Sequence, residues 1–476
     1  MMDRYESPLT SRYASRDMAE LFSERKKIVT WRKLWTELAR AESELGLPVT
    51  KEQVEELEAH IEDIDFEAAE AREKTVRHDV MAHVYAYGLA APNAKPILHL
   101  GATSCYVKDN ADLILYRDAL RLLRKKLVAV IRAFSSFALR YRALPTLGST
   151  HYQAAQPVTY GKRAALWMQD FLSDLTELDH VLETLPFLGC RGTTGTEASF
   201  LTLFNGEEEK VDALNGRIAA RFDFQECIPI AGQTYPRKTD TRIVSMLAGI
   251  GESAAKFATD LRLLMHDGEV AEPFETGQIG SSAMAYKQNP MRSERIVSLS
   301  RLLRSHVSYA SETAAAQWLE RTLDDSAGRR MVMPESFLLA DGILKLVYDV
   351  ISGLTVFEHV VRRRVNEKLP FLATETVLME CVKRGKDRQE AHEAIRKITI
   401  AAAAAEKEGK TMDLTALLAD QPEIGLTEQE IRALFDPDAF IGRSAHQTES
   451  FVRSVLDRPD FSGAADDTGV FEEVAL

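Results

Sequence analysis

Residues 280 to 296, GSSAMAYKQNPMRSERI, bring a pair of adjacent serines, a third serine, a lysine, an Asn-Pro step and two arginines into one short segment. A turn accounts for Gly280, Asn289 and Pro290, and a solvated helix face would use Arg and Glu, but neither needs paired serines beside a lysine. Small residues around the serines suit a loop that closes over a ligand. Lys287 and successive backbone N–H groups suit negative charge developing on an oxygen. A serine there is a nucleophile or a base. The nucleophile reading asks for a G-x-S-x-G elbow between a strand and a helix, and the sequence has none. Proton abstraction is the alternative; a hydroxyl is a weak base, so it requires electrostatic help under a water-excluding lid.

This loop sits between helical patterns. Leu113, Tyr116, Leu120, Leu123, Leu127, Val130, Phe134, Phe137 and Tyr141 recur at steps of three and four, which predicts a helix over 111–141. Asp109 or Asn110 is its expected cap and Pro145 lies just past its end; its length is about 45 Å. Ile243, Leu247, Ile250, Ala254, Phe257, Leu261 and Leu264 repeat the pattern between Pro236 and Gly268. A third helix is expected from Pro290, with Asn289 as N-cap. Gly249, Gly251 and Ala254 imitate a dinucleotide fingerprint but fall inside the second helix, and no Walker A sequence occurs. Three such helices predict an all-α fold built on a long-helix bundle, flanked by a helical domain at 1–109 and another at 359–476, with 110–358 as the bundle. Seams of this length are often completed by other subunits, so a homo-oligomer is expected. The end, DRPDFSGAADDTGVFEEVAL, is acidic and is expected to fray. There is no internal repeat and no strand-rich region.

At 476 residues the chain exceeds one ordinary core. The formal charge of −13 argues against nucleic acid as the main partner, so an anionic ligand needs a local cationic pocket. Cys105, Cys190, Cys227 and Cys381 form neither a disulfide framework nor a zinc pattern and read as reduced, packed thiols. The polar start MMDRYESPLTSRYAS lacks an apolar targeting segment and no run reaches the roughly 18 apolar residues of a membrane span. A cytoplasmic protein without membrane contact is expected. His78 and His83 are five apart, which is the wrong spacing for two metal ligands on one helix face, so no metal is expected.

GSSAMAYKQNP resembles the signature loop of the fumarase and aspartase superfamily, and HLGATSCYVKDN at 99–110 and TLGSTHYQAAQPVTYGKR at 146–163 match two further regions in the same order. Within that superfamily the chain is similar to the adenylosuccinate lyase family of animal type, through MRSER, SRYAS, RHDVMAH at 77–83 and ERTLDDSAGRR at 320–330. The resemblance spans nearly the whole chain and weakens after about residue 400. It implies a homotetramer without cofactor whose sites are each assembled from three subunits. The implied reaction is β-elimination of fumarate from adenylosuccinate, giving AMP, and from succinylaminoimidazole carboxamide ribotide, giving AICAR, in purine biosynthesis.

It also implies roles. Ser281, rather than Ser282, is the base; His151 is the acid that protonates the departing nitrogen; His78 supports it; Lys287 and Asn289 hold the carboxylate on which carbanion charge gathers. Arg12, Tyr13, Arg77, Asp79, Thr103, Ser104, Gln233, Arg295, Arg321, Ser326 and Arg330 bind substrate. Forked guanidinium donors suit a phosphate and two carboxylates. Three positions depart from the family: Ala285 replaces a usual Pro, Gln288 a usual basic residue, and Ala154 a common Pro. No catalytic group is lost, so altered rate or loop behaviour is expected.

Simpler readings stand beside these. His151 alone would be a structural histidine, and its flanking matches reverse that. Thr103 and Ser104 serve equally as caps. Arg321, Arg329 and Arg330 could form a solvated basic face, the reading kept for Arg329, with Asp324 and Asp325 as acidic partners. Another superfamily lyase, such as argininosuccinate lyase, and a catalytically silent relative are the alternatives. Joint retention of Ser281, His151, His78 and Lys287 weighs against silence.

Overall fold

The computed structural model describes residues 4–284, 286–410, 412–461 and 470–471. Ala285 and most of the acidic tail lie outside the described residues. The elements that matter here are α1 (Glu24–Glu44), α2 (Phe66–Val76), α3 (Asp79–Ala90), α4 (Ser104–Arg140), strands β1 (Pro145–Thr150) and β2 (Gln153–Thr159), and α5 (Tyr160–Glu183). After them come α6 (Lys238–His266), β3 (Val270–Ala271), α7 (Met291–Ala315), α8 (Asp325–Gly353), β4 (Thr355–Val356) and α9 (Ser444–Leu456).

Helices α4 to α8 form the bundle. α4 packs on α5 and α8, and α6 on α5, α7 and α8. All nine seam residues expected on α4 are buried, as are Ile243, Leu247, Ile250, Ala254, Phe257 and Leu261 on α6. Phe134 stacks on Phe171 at 5.3 Å and meets Phe257 edge-on at 5.0 Å, so one side chain ties three helices together. Gly251 packs against α7: an added Cβ would fall 3.4 Å from Leu303 and 3.6 Å from Ser300. That is helix packing, as expected of a false dinucleotide motif.

Two helix starts differ from expectation. α4 begins at Ser104, with Thr103 at the N-cap, so Asp109 and Asn110 lie inside it. Both are buried polar residues with tertiary duties: Asp109 pairs with Arg237, and Asn110 binds the backbone of Leu188 and Gly189. α7 begins at Met291, one residue late, with Pro290 at the cap. The side chain of Asn289 instead donates to Gly280 O at 2.8 Å, closing the loop on itself. The first-turn N–H groups of Arg292 and Ser293 donate to the Glu272 carboxylate at 3.0 and 2.7 Å. A carboxylate from twenty residues upstream thus does the capping, with a full negative charge at the positive helix end.

The strands form two small antiparallel ribbons, β1–β2 and β3–β4. A separate apolar cluster runs from Val377 to Ile431. α9 then returns to the bundle, burying Val452 and Val455 in the main core. Among the described residues, no helix is long and apolar enough to cross a membrane.

Candidate active site

The corner between α2 and α3 is the first wall of the site. Arg77 ends α2 with φ 56°, a left-handed conformation that costs a non-glycine residue roughly 1–2 kcal/mol. His78 follows as the N-cap of α3, its Nδ1 accepting from Met81 N at 3.4 Å. With Nδ1 occupied as acceptor, a neutral His78 carries its proton on Nε2, which lies 3.1 Å from Ser104 Oγ at the start of α4. Asp79 is held by Lys108 at 2.9 Å and by Val80 N at 2.8 Å, with Arg330 at 3.5 Å. Burial alone would raise the Asp79 carboxyl, but the Lys108 ammonium and the Val80 N–H outweigh it and bring it below the ordinary value.

These groups open onto a cavity of about 790 Å³. Its walls bring together Arg77, His78, Asp79, Thr103, Ser104, Gln233, Arg321, Ser326 and Arg330, nine of the sixteen residues named from the sequence. Seven Lys and Arg side chains face five Asp and Glu, so this acidic chain gathers a net cationic surface at one place.

The arginines divide by their partners. Arg237, only 3% exposed, donates to Asp109 at 2.7 Å and to Asp325 at 2.7 Å. The second oxygen of Asp325 accepts from Arg321 at 2.8 Å and so fixes that guanidinium at the cavity wall. Arg329 reaches Asp240 at 2.6 Å and Asp112 at 3.1 Å. It is largely buried, which corrects its assignment to a solvated face: the neighbouring α4 and α6 carboxylates, invisible in local sequence, draw it inward. Arg330 stays exposed, and Arg77 has no side-chain hydrogen bond or ion pair among the described residues.

The remaining sites lie on other elements. His151 and Tyr152 form the two-residue turn joining β1 to β2, at φ 52° and 58°. Such a turn favours Asn-Gly, yet it carries an exposed imidazole. Ser281, Lys287 and Asn289 sit on the loop between β3 and α7. There Ser281 Oγ accepts from Met284 N at 3.2 Å and Ala283 N at 3.4 Å. Arg295 is half-buried on α7, whereas its neighbour Arg292 is buried 2.6 Å from Asp349. Arg12 and Tyr13 close a π-helical turn, Leu9–Tyr13, near the N-terminus. None of these seven lines the cavity within one chain.

A family model described as "Lyase" matches residues 17–302, and one described as "Adenylosuccinate lyase C-terminus" matches 370–451. The adenylosuccinate lyase of Schizosaccharomyces pombe is 50% identical over 452 residues, 94% of each chain. The chain belongs to the adenylosuccinate lyase family. The Saccharomyces cerevisiae member is 49% identical, over 95% of this chain and 94% of its own, and that of Schistosoma mansoni 45%, over 96% and 95%. Among solved structures, a 3-carboxy-cis,cis-muconate lactonizing enzyme from Pseudomonas putida superposes with TM-score 0.84 at 25% identity, covering 96% of this chain and all of its own. A fumarate lyase from Mesorhizobium sp. BNC1 gives 0.80 at 25%, covering 94% and 99%.

The cavity of this adenylosuccinate lyase family member contains groups that sequence reasoning passed over. Lys108 follows Ser104 by one helical turn and shares its face, a spacing that could have found it. His99 accepts the indole N–H of Trp35 on Nδ1 at 2.9 Å. Burial, with the nearby His78, pushes its pKa down to about 4, so it is a neutral Nε2–H donor near pH 7.

Proposed function

We propose that this protein catalyses β-elimination of fumarate from adenylosuccinate, and from succinylaminoimidazole carboxamide ribotide. The observation that carries this reading is the cationic cavity around the His78–Ser104 pair, in a chain half identical to a named adenylosuccinate lyase over nearly its whole length. A substrate with one phosphate and two carboxylates needs guanidinium groups open to it; Arg77, without an ion pair among the described residues, and the exposed Arg330, only loosely paired with Asp79 at 3.5 Å, support that.

Ser281 removes a proton from the succinyl Cβ. The electron pair left on carbon forms the fumarate double bond as the C–N bond breaks, and His151 protonates the departing nitrogen. Lys287 and Asn289 stabilise the carboxylate that carries charge between these events. The two backbone N–H groups on Ser281 Oγ favour its anionic form, which is the help a weak base needs. His78, donating from Nε2 through Ser104, orients the acid and the substrate. Arg12, Tyr13, Asp79, Thr103, Gln233, Arg295, Arg321 and Ser326 complete the binding surface. The protein works as a homotetramer in the cytoplasm, the His151 hairpin and Ser281 loop of neighbouring copies reaching the cavity walls. The division into 1–109, 110–358 and 359–476 is supported by the separate apolar cluster of the last part.

The test is fumarate release from adenylosuccinate, the succinylated ribotide and argininosuccinate in parallel. Turnover of the first two is expected. Turnover of argininosuccinate alone, or of none, would overturn the proposal.

A further inference from the structure

One buried charge pair lies outside the chemistry above. Lys126 on α4 and Asp341 on α8 are 1% and 0% exposed and form an ion pair. Lys126 Nζ also donates to Ser15 Oγ at 2.9 Å, and Ser15 N donates to Asp341 Oδ2 at 2.6 Å. Ser15, itself 3% exposed, caps the helix Arg16–Leu21 by accepting from Met18 N at 3.3 Å. Just before it, Ala14 N donates to Leu9 O at 2.8 Å and closes the turn that carries Arg12 and Tyr13. Tyr13 rests on α8 at Gly342, beside Asp341, where an added Cβ would fall 3.1 Å from Tyr13 Cβ and 3.2 Å from its carbonyl carbon.

Burying two charges is expensive, and apolar side chains of similar size would hold α4 to α8 at least as well. An apolar pair cannot, however, grip both the N–H and the hydroxyl of Ser15. Among the described residues, each hydrogen bond this pair makes outside itself ends on that one residue, two positions from Tyr13, and the Lys126 ammonium also lies 5.6 Å from the centre of the Phe471 ring. Such a pair specifies a register rather than adding stability.

We propose that Lys126 and Asp341 are positioning residues: their buried ion pair latches Ser15 and so sets the turn that presents Arg12 and Tyr13 to the substrate. This rests on the substrate-binding reading of Arg12 and Tyr13. The lock is threefold, with the charge pair on Ser15, Leu9 buried below the turn, and Gly342 admitting Tyr13. Arg12 is left exposed on the turn so held.

The test uses the full chain with Lys126→Met and Asp341→Leu combined, so that neither charge is stranded. Thermal unfolding near that of the parent is expected. Amide exchange over residues 7–15 should accelerate, KM for adenylosuccinate should rise by roughly tenfold, the factor of one lost charged contact, and kcat should change far less. Ser15→Ala, which keeps the ion pair, should show both effects more weakly, and it stands in if the double variant does not fold. Unchanged exchange over 7–15 would overturn the latch, as would unchanged KM while Arg12→Ala raises it. Accelerated exchange with KM unchanged in both the latch variant and Arg12→Ala would instead overturn the assignment of Arg12 to the substrate.

Discussion

Each arginine here is defined by the carboxylates within reach of it. Arg237, Arg292 and Arg329 are buried or nearly so beside acids and act as struts, whereas Arg77 has no ion pair among the described residues and Arg330 is exposed, with Asp79 at 3.5 Å. Arg321 is intermediate, held by Asp325 yet open to the cavity. Asp325→Asn removes the negative charge holding it and should raise KM for adenylosuccinate by about tenfold with a smaller fall in kcat; equal losses in both would place Asp325 in the chemical step instead. Glu42, buried on α1 with neither oxygen hydrogen-bonded among the described residues, gives a pH test. Burial raises its pKa from 4.5 to about 8, so between those values the native state holds a proton that the unfolded chain has lost, and stability falls as pH rises. Glu42→Gln removes that penalty. Its unfolding temperature should match the parent near pH 5 and exceed it at pH 8, by the equivalent of at least ~1 kcal/mol; a constant difference across that range would contradict the assignment. Sequence reasoning named nine residues that line one cavity but could not sort its arginines, because their partners stand on helices far away in the chain. Asp240, for instance, pairs with Arg329 from α6.

Elements were legible where periodicity determines them. The α4 seam is buried from Leu113 to Tyr141, since a stripe of that length can only face a core. Their ends were not: Glu272 caps α7 from twenty residues upstream, and Asp109 and Asn110 proved to be buried struts rather than caps. The Ser281 loop is closed by two crossings, Asn289 onto Gly280 O and Gly280 against Lys287, where an added Cβ would lie 2.2 Å from the Lys287 oxygen. Gly280→Ala should therefore displace the loop and lower kcat by about a hundredfold, on the scale of a mispositioned catalytic group, while circular dichroism and unfolding temperature stay near the parent. An unfolding temperature lowered in step with activity would show that the loop supports the fold instead. The β1–β2 turn makes the complementary point: a two-residue hairpin at positive φ would ordinarily use Asn-Gly, and the chain places His151 and Tyr152 there.

At the scale of the molecule, an acidic chain builds a cationic cavity around His78 and leaves the proposed acid and base on other elements. The sequence matches indicated which residues belong together; the single chain leaves Ser281 and His151 outside the walls that hold His78. On the proposed chemistry, copies of the chain complete one another's sites. Separately, Ser281→Ala and His151→Gln should each lower fumarate release from adenylosuccinate by roughly 10²–10⁴-fold, the loss of one general acid or base. The decisive measurement mixes the two inactive variants, dissociates and reassociates them, and follows fumarate release. Shared sites predict recovered activity well above either variant alone, because some assembled sites then draw an intact serine and an intact histidine from different copies. A reassociated mixture that stays as inactive as its components would contradict this.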